Sequence, residues 1–253
     1  MIPKVIHYCW LSGDPYPEII QRCIDSWKDK LPDYQFVLWD KNKFDINSHI
    51  WVKQAYESRK FAFAADYIRL YALYYYGGIY LDTDVEVLKS FDNLLNRNYF
   101  IGLDSQSKLE AAIIGSEAKS DWILACLKYY DNRKFYGDKN ILDMKTLPLI
   151  MEEMMVKNGI VIKKYDNYSS EIICDNVISV FPFDFFCSKR HDTGKICITE
   201  NTYSIHHFAM SWQSPISKIL TCYKRIFVKL FGSDFTNVLI RVFNLKSLKE
   251  KLM

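Results

Sequence analysis

An α/β fold is what this sequence predicts, and three observations predict it. The chain opens strand, helix, strand, and the helix is long enough for a crossover between parallel strands. A long helix rich in Ala and aromatics, Phe61 to Tyr76, stops at Gly77-Gly78. The buried strand that follows, Ile79-Tyr80-Leu81, runs directly into Asp82-Thr83-Asp84. The carboxyl ends of strands are where α/β sheets place their ligands.

The elements follow in order. Lys4 to Leu11 reads as a first buried strand and ends in the turn signal Ser12-Gly13-Asp14-Pro15. Pro17 opens a helix whose apolar residues Ile20, Cys23, Ile24 and Trp27 recur at helical spacing. Pro32-Asp33 breaks it, and Tyr34 to Trp39 is the second strand. After the Phe61–Tyr76 helix, glycine supplies a left-handed cap at little steric cost. Val85 to Leu88, Tyr99 to Leu103 and Ala111 to Ile114 are further strands. Asp121 to Tyr130 and Leu147 to Lys157 are helices, and Val177 to Phe181 and Thr202 to Phe208 are late strands.

The tail differs. Ile216, Ile219, Leu220, Tyr223, Ile226, Phe227, Leu230 and Phe231 follow amphipathic-helix spacing, and a second helical stretch follows Gly232. Lys218 to Lys251 holds eight Lys or Arg against two acids, Asp234 and Glu250. Such a helix either docks on a membrane surface or a partner, or packs on the core with a solvated basic face. Both readings need the same apolar stripe. The expected division is therefore residues 1–213 as one catalytic domain and 214–253 as a basic helical extension.

Composition sets bounds. With 49% hydrophobic and 25% charged residues the chain can bury a sizeable core, and large-scale disorder is not expected. A net charge of +3 gives no argument for nucleic acid as a partner. Seven scattered cysteines contain no C-x-x-C pair, so the expectation is reduced thiols in a cytoplasmic protein and no structural zinc. The first ten residues read as a strand rather than a cleavable leader, and no uncharged apolar run reaches the roughly 18 residues of a membrane span. Asn167-Tyr168-Ser169 is a formal glycosylation sequon, read as coincidence.

The chemistry gathers around Asp82 and Asp84. Residues two apart on an extended segment point to one side, and two carboxylates forced together repel. A site that keeps both calls for a cation, and Mg²⁺ or Mn²⁺ suits carboxylates with substrate phosphates. Asp-x-Asp alone is common, and an ordinary acidic turn is its plain reading. The setting argues otherwise. Asp66 and Arg69 lie three apart on one face of the preceding apolar helix. Arg69 can hold Asp66 in place and leave it to accept from sugar or ribose hydroxyls.

These residues resemble the glycosyltransferases that carry a sugar-binding region with a DXD motif, a family-32-like group. It includes bacterial capsular polysaccharide transferases, a fungal initiating mannosyltransferase and vertebrate α1,4-transferases. The glucosylating domain of large clostridial toxins is similar. The match runs through Ile2 to Trp10, Ser26-Trp27-Lys28, Pro32-Asp33-Tyr34, Ala65 to Asp84 and Ile205 to Trp212. The bacterial capsular type is the nearest in flavour.

The resemblance implies a GT-A, Rossmann-like fold, a nucleotide-sugar donor (a UDP-sugar first), a divalent metal (Mn²⁺ or Mg²⁺) and retaining transfer. It also implies roles. Asp82 and Asp84 hold the metal, with His206 as a further ligand; Asp66 and Arg69 bind ribose and sugar. His7, Trp10, Ala65, Gly78 and Tyr80 line the nucleotide site, with Trp10 stacking on the base. Ser211 and Trp212 close over the diphosphate. His206 and His207 are adjacent, so on a strand only one can face the site. Trp10 also reads as plain core, and Met210 stands where the family often has glycine. Asp104 is a weaker candidate for touching sugar or acceptor.

The implied acceptor is a lipid-linked glycan in capsule or other surface-polysaccharide synthesis. The enzyme would then be cytoplasmic and peripheral at the inner membrane leaflet. A toxin-like transferase acting on a protein hydroxyl is the alternative. A glycoside hydrolase fits poorly, because its carboxyls must flank the bond about 5–10 Å apart.

Overall fold

The computed structural model describes residues 1–137, 141–164, 176–209 and 215–232. Strand β1 (Val5–Cys9), helix α1 (Glu18–Lys30) and strand β2 (Gln35–Trp39) form the expected parallel crossover, in register from Val5 opposite Gln35 to Cys9 opposite Trp39. The residues predicted to face inward on α1, Ile20, Cys23, Ile24 and Trp27, are its buried set. Helices α2 (Ile50–Glu57) and α3 (Phe61–Tyr76) lead into β3 (Gly78–Leu81), which joins β1 in parallel. Then come β4 (Val85–Val87), β5 (Tyr99–Leu103) and β6 (Leu109–Ser116). The central sheet has the order β2-β1-β3-β6-β5, with β6 antiparallel to both neighbours. This is the mixed α/β architecture expected above.

The rest covers the sheet. Helices α4 (Asp121–Leu127) and α5 (Leu147–Lys157) pack with α2 and α3 on one face, around Trp51, Ile68, Tyr80 and Met151. On the other face lie α1 and β4, around Ile6, Trp27, Ile79 and Leu81. The alternation along β3, with Ile79 and Leu81 to one side and Tyr80 to the other, is the period of a strand. Strands β7 (Val161–Lys164) and β8 (Val177–Val180) form a small parallel pair. After α6 (Phe183–Phe186), β9 (Ser204–His206) pairs antiparallel with β4, and α7 (Pro215–Phe231) follows.

Several expectations need adjusting. Helix α2, strand β7 and the short α6 had not been expected; each is too short to show a period. The stretch after Gly232 and the sequon at 167–169 lie outside the described residues. Gly77 ends α3 at φ 65°, ψ −173° rather than in the left-handed helical well. Only glycine takes that conformation cheaply. A Cβ there would stand 2.7 Å from the Ala118 backbone nitrogen, and one at Gly78 would stand 2.6 Å from the Val5 carbonyl oxygen. The two glycines let the chain turn from α3 straight into the sheet, and so fix where β3 ends. Cys9, Cys23, Cys126, Cys187, Cys197 and Cys222 are free, as reduced thiols are expected to be.

Candidate active site

Strands β1, β2 and β3 are parallel, so their carboxyl ends share one edge. Asp82 lies at that edge, tied to β6 by its N–H donating to the Ala112 carbonyl at 2.8 Å. Asp82-Thr83-Asp84 is not extended, as the sequence reading supposed. It is a turn closed by the Val85 N–H donating to the Asp82 carbonyl at 3.0 Å. The turn still brings the two carboxylates together, because β4 is held from behind by α1. The Trp27 indole donates to the Val85 carbonyl at 2.6 Å, and the Val87 N–H donates to the Ser26 hydroxyl at 2.9 Å.

His206 reaches the same point from β9, where it sits opposite Val85. Its Nε2 is 3.4 Å from Asp84 Oδ1. The ligand atoms of Asp82, Asp84 and His206 all lie within 4.8 Å of one another. His207 points elsewhere, with Nε2 2.6 Å from Glu86 Oε2. Of the two neighbours, His206 is the one that faces the carboxylates. Asp84 is fixed further by the Ala209 N–H, which donates to its Oδ2 at 2.7 Å. Phe208, between them, has a positive φ of 51° and packs its ring 4.1 Å from that of His206. Such strain in a non-glycine residue persists only where its surroundings hold it.

Arg69 organises the second layer. It is 5% exposed. Its guanidinium lies 2.9 Å from Asp82 Oδ1 and 3.4 Å from Asp66 Oδ1, and it also donates to the Ala111 carbonyl. That carbonyl is presented where the β5–β6 register shifts between Ile101 and Gly102, a break of the kind that re-aims groups beside sites. The guanidinium rests 4.3 Å above the Tyr80 ring. Burial pushes the Asp66 carboxyl up to about 7 although Arg69 pulls it down. Burial likewise pushes Asp82 up against Arg69. Asp84 goes the other way: burial is outweighed by the His206 charge and by its hydrogen bonds, which hold it below the usual range. His206 is raised despite its burial, because Asp84 and Glu110 face it.

Glu110 is the residue that sequence reasoning missed. It lies on β6 with one oxygen 3.4 Å from His206 Nδ1, and its other oxygen accepts from the Ala112 N–H at 3.0 Å. Cys187 Sγ stands 3.8 Å from the same carboxylate. Its only sequence signal is an acid inside the apolar run Leu109 to Ile114, where an unpartnered charge is costly.

Five of the predicted residues therefore converge: Asp66, Arg69, Asp82, Asp84 and His206. Trp10 reaches the same sheet edge, half-buried beside Tyr16 and donating to the Asp14 carbonyl at 2.7 Å, so it is not plain core. Others are buried within the scaffold. His7 is 2% exposed, and both its ring nitrogens are engaged, with the Gly77 carbonyl at 2.8 Å and the Trp39 indole at 3.1 Å. Gly78 begins β3, four residues and about 13 Å from Asp82. Ala65 packs in the core, and Tyr80, 1% exposed, is covered by Arg69. Ser211 and Trp212 lie outside the described residues. Asp104 caps its own turn, accepting from the Gln106 and Lys108 N–H groups.

The donor set can hold a divalent metal. Two carboxylates and an imidazole converge, one Asp82 oxygen is left over beyond Arg69, and a cation would offset the mutual repulsion of the carboxylates. Oxygen and nitrogen donors of this kind suit Mn²⁺.

Comparison with known proteins identifies the same segment. Residues 17–101 match the family described as "Glycosyltransferase sugar-binding region containing DXD motif". That block carries Asp66, Arg69, Asp82 and Asp84. Inositol phosphoceramide mannosyltransferase 3 of Schizosaccharomyces pombe is 34% identical over 118 residues, 45% of this chain and 33% of that protein. Mannosyl phosphorylinositol ceramide synthase SUR1 of Saccharomyces cerevisiae is 30% identical over 161 residues, 60% of this chain and 41% of that one. Mouse lactosylceramide 4-alpha-galactosyltransferase is 36% identical over 80 residues, 30% and 21% of the two chains. The chain thus spans well under half the length of these relatives, and none of the three is a bacterial capsule enzyme. Among solved structures, PaToxG glycosyltransferase aligns at TM-score 0.48 and 22% identity, over 62% of this chain and 69% of that one.

Proposed function

The chain is glycosyltransferase family 32-like, and from that premise we propose that it transfers a sugar from a nucleoside diphosphate donor to a hydroxyl on a lipid headgroup. The observation that carries the reading is the convergence of Asp82, Asp84 and His206 at the carboxyl edge of β3. These three would hold the divalent cation. When bound, it supplies positive charge against the diphosphate as the sugar departs.

The other residues act on that arrangement. Arg69 fixes the Asp82 carboxylate, and Asp66, beside it, accepts from donor hydroxyls. The Glu110 carboxylate faces His206 Nδ1, and its charge favours the ring orientation that turns Nε2 to Asp84. The Ala209 N–H fixes the Asp84 rotamer. Trp10, at the edge of the sheet, offers a face to the base. The donor sugar stays open, because the printed names of the relatives include both mannosyl and galactosyl transfer. The acceptor class is narrower. Those names print ceramide lipids, which supports a lipid headgroup over a protein or a capsular glycan. Retention of configuration comes with the resemblance.

The experiment is donor turnover with Mn²⁺, after EDTA, and after Mn²⁺ is restored, using UDP- and GDP-sugars with detergent-solubilised glycolipid acceptors. Loss on chelation and recovery on restoration are expected. Full turnover in EDTA would overturn the metal reading. Transfer to a protein hydroxyl and to no lipid would overturn the acceptor.

A further inference from the structure

Helix α7 carries an apolar stripe on the wrong side. At 100° per residue, Ile219, Tyr223, Ile226, Phe227 and Leu230 fall on one face. They are between 43% and 69% exposed. The helix attaches to the body by the opposite face. There Val228 is buried, and the Arg225 guanidinium donates to the His191 carbonyl at 3.1 Å. A helix that packed its stripe on the core would show the reverse.

Charge says what the outward face meets. Between Pro215 and Gly232 there are four cations, three lysines (Lys218, Lys224 and Lys229) and the Arg225 that binds the body, and no Asp or Glu. A second protein copy offers the same positive charge and would repel. An anionic lipid surface attracts the cations and takes up the stripe. At 17 residues, α7 is shorter than a span and fits a helix lying in the plane of the surface.

The attachment also links α7 to the carboxylate site. His191, which accepts from Arg225, packs its ring 5.1 Å from Phe208, and Phe208 contacts His206. Lys189, in the same loop, donates to the His207 carbonyl at 2.9 Å. We infer that α7 seats the protein on an anionic lipid bilayer through Ile219, Tyr223, Ile226, Phe227 and Leu230, and that this brings the Asp82–Asp84 edge beside the lipid surface. The inference stands on α7 alone and holds whether or not the reaction proposed above is right.

The test is flotation of the full chain with vesicles of phosphatidylcholine alone or with 30% phosphatidylglycerol, alongside hydroxyl-radical footprinting of Tyr223 and Phe227. Binding to the anionic vesicles should exceed binding to neutral ones by about tenfold or more. It should weaken at least about tenfold in 0.5 M salt and be lost in Phe227→Ser/Leu230→Ser. Tyr223 and Phe227 should be labelled freely in solution and protected on vesicles. Equal binding by wild type and double variant would overturn the inference. So would rings already protected without lipid, whether by a second copy or by residues 233–253. Because both substituted positions are exposed, the variant keeps its melting temperature, and donor turnover in detergent reports the catalytic reading separately.

Discussion

Two parts of the molecule break the rule of apolar inside and polar outside, in opposite directions. At the end of β3, Asp66, Arg69, Asp82, Asp84, Glu110 and His206 put charge where a core would be. On α7, six large apolar side chains stand in the open, five of them on one face. The first region is held by contacts from α3, β6 and β9. The second hangs on one face of one helix. On the readings proposed above, each departure answers to its own counterpart: a cation for the acids, a surface for the stripe. Helix α1 keeps the rule, with Ile20, Cys23, Ile24 and Trp27 turned inward.

The contrast can be broken by substitution, and the largest effect is expected at the acids. Asp84→Ala should lower donor turnover by at least about a thousandfold, or ~4 kcal/mol in barrier, with melting little changed in EDTA. Wild-type turnover in that variant would leave the acidic turn as ordinary structure. Arg69→Met leaves Asp66 and Asp82 buried without their cation, and a loss of about 3 kcal/mol of stability is expected by thermal denaturation. The loss should shrink as pH falls through about 7, where Asp66 takes up its proton.

Asp66 itself sharpens the point. Its carboxyl stands at about 7 in the fold, against about 4 in an unfolded chain. The folded state therefore holds the proton more tightly. This group's contribution is full below about pH 4 and is lost as pH rises toward about 7. In metal-free protein, Asp66→Asn should remove that loss. Relative to wild type, the variant should gain about 3 kcal/mol between pH 4.5 and pH 8, read by denaturant unfolding at each pH. A constant difference across that range would remove the charge account of Asp66. Glu110→Gln is milder. It should weaken Mn²⁺ affinity about tenfold through the His206 ring while leaving the fold intact. Smallest of all, Phe227→Ser/Leu230→Ser should shift stability by less than about 0.5 kcal/mol. A larger shift would mean the stripe is packed, and the contrast would collapse.

Much of this was legible in the sequence, and what was hidden has physical causes. The bounds of α3 and α5 were readable because each is a long apolar run with a punctuating residue, Gly77 after α3 and Pro148 in the first turn of α5. Asp82, Asp84, Asp66 and Arg69 were readable because they lie in one contiguous block. Glu110 was not, since its contact with His206 spans 96 positions and depends on the β5–β6 register shift. His7, Gly78 and Tyr80 were placed at the site by resemblance, whereas burial gives them to the scaffold. The bend at Asp82 was missed because a turn and a strand can both bring two acids to one side. The direction of α7 could not be read at all: an apolar stripe records that something is covered, and only the packing of Arg225 and Val228 shows which side is left.

The most direct measurement is Mn²⁺ binding by electron paramagnetic resonance, with and without UDP or GDP. Linkage requires metal and nucleotide to strengthen each other by the same factor if they meet at one site. The prediction is at least about a tenfold gain in Mn²⁺ affinity with the preferred nucleotide, absent in Asp84→Ala. Equal Mn²⁺ binding by that variant, or affinity indifferent to both nucleotides, would contradict the account.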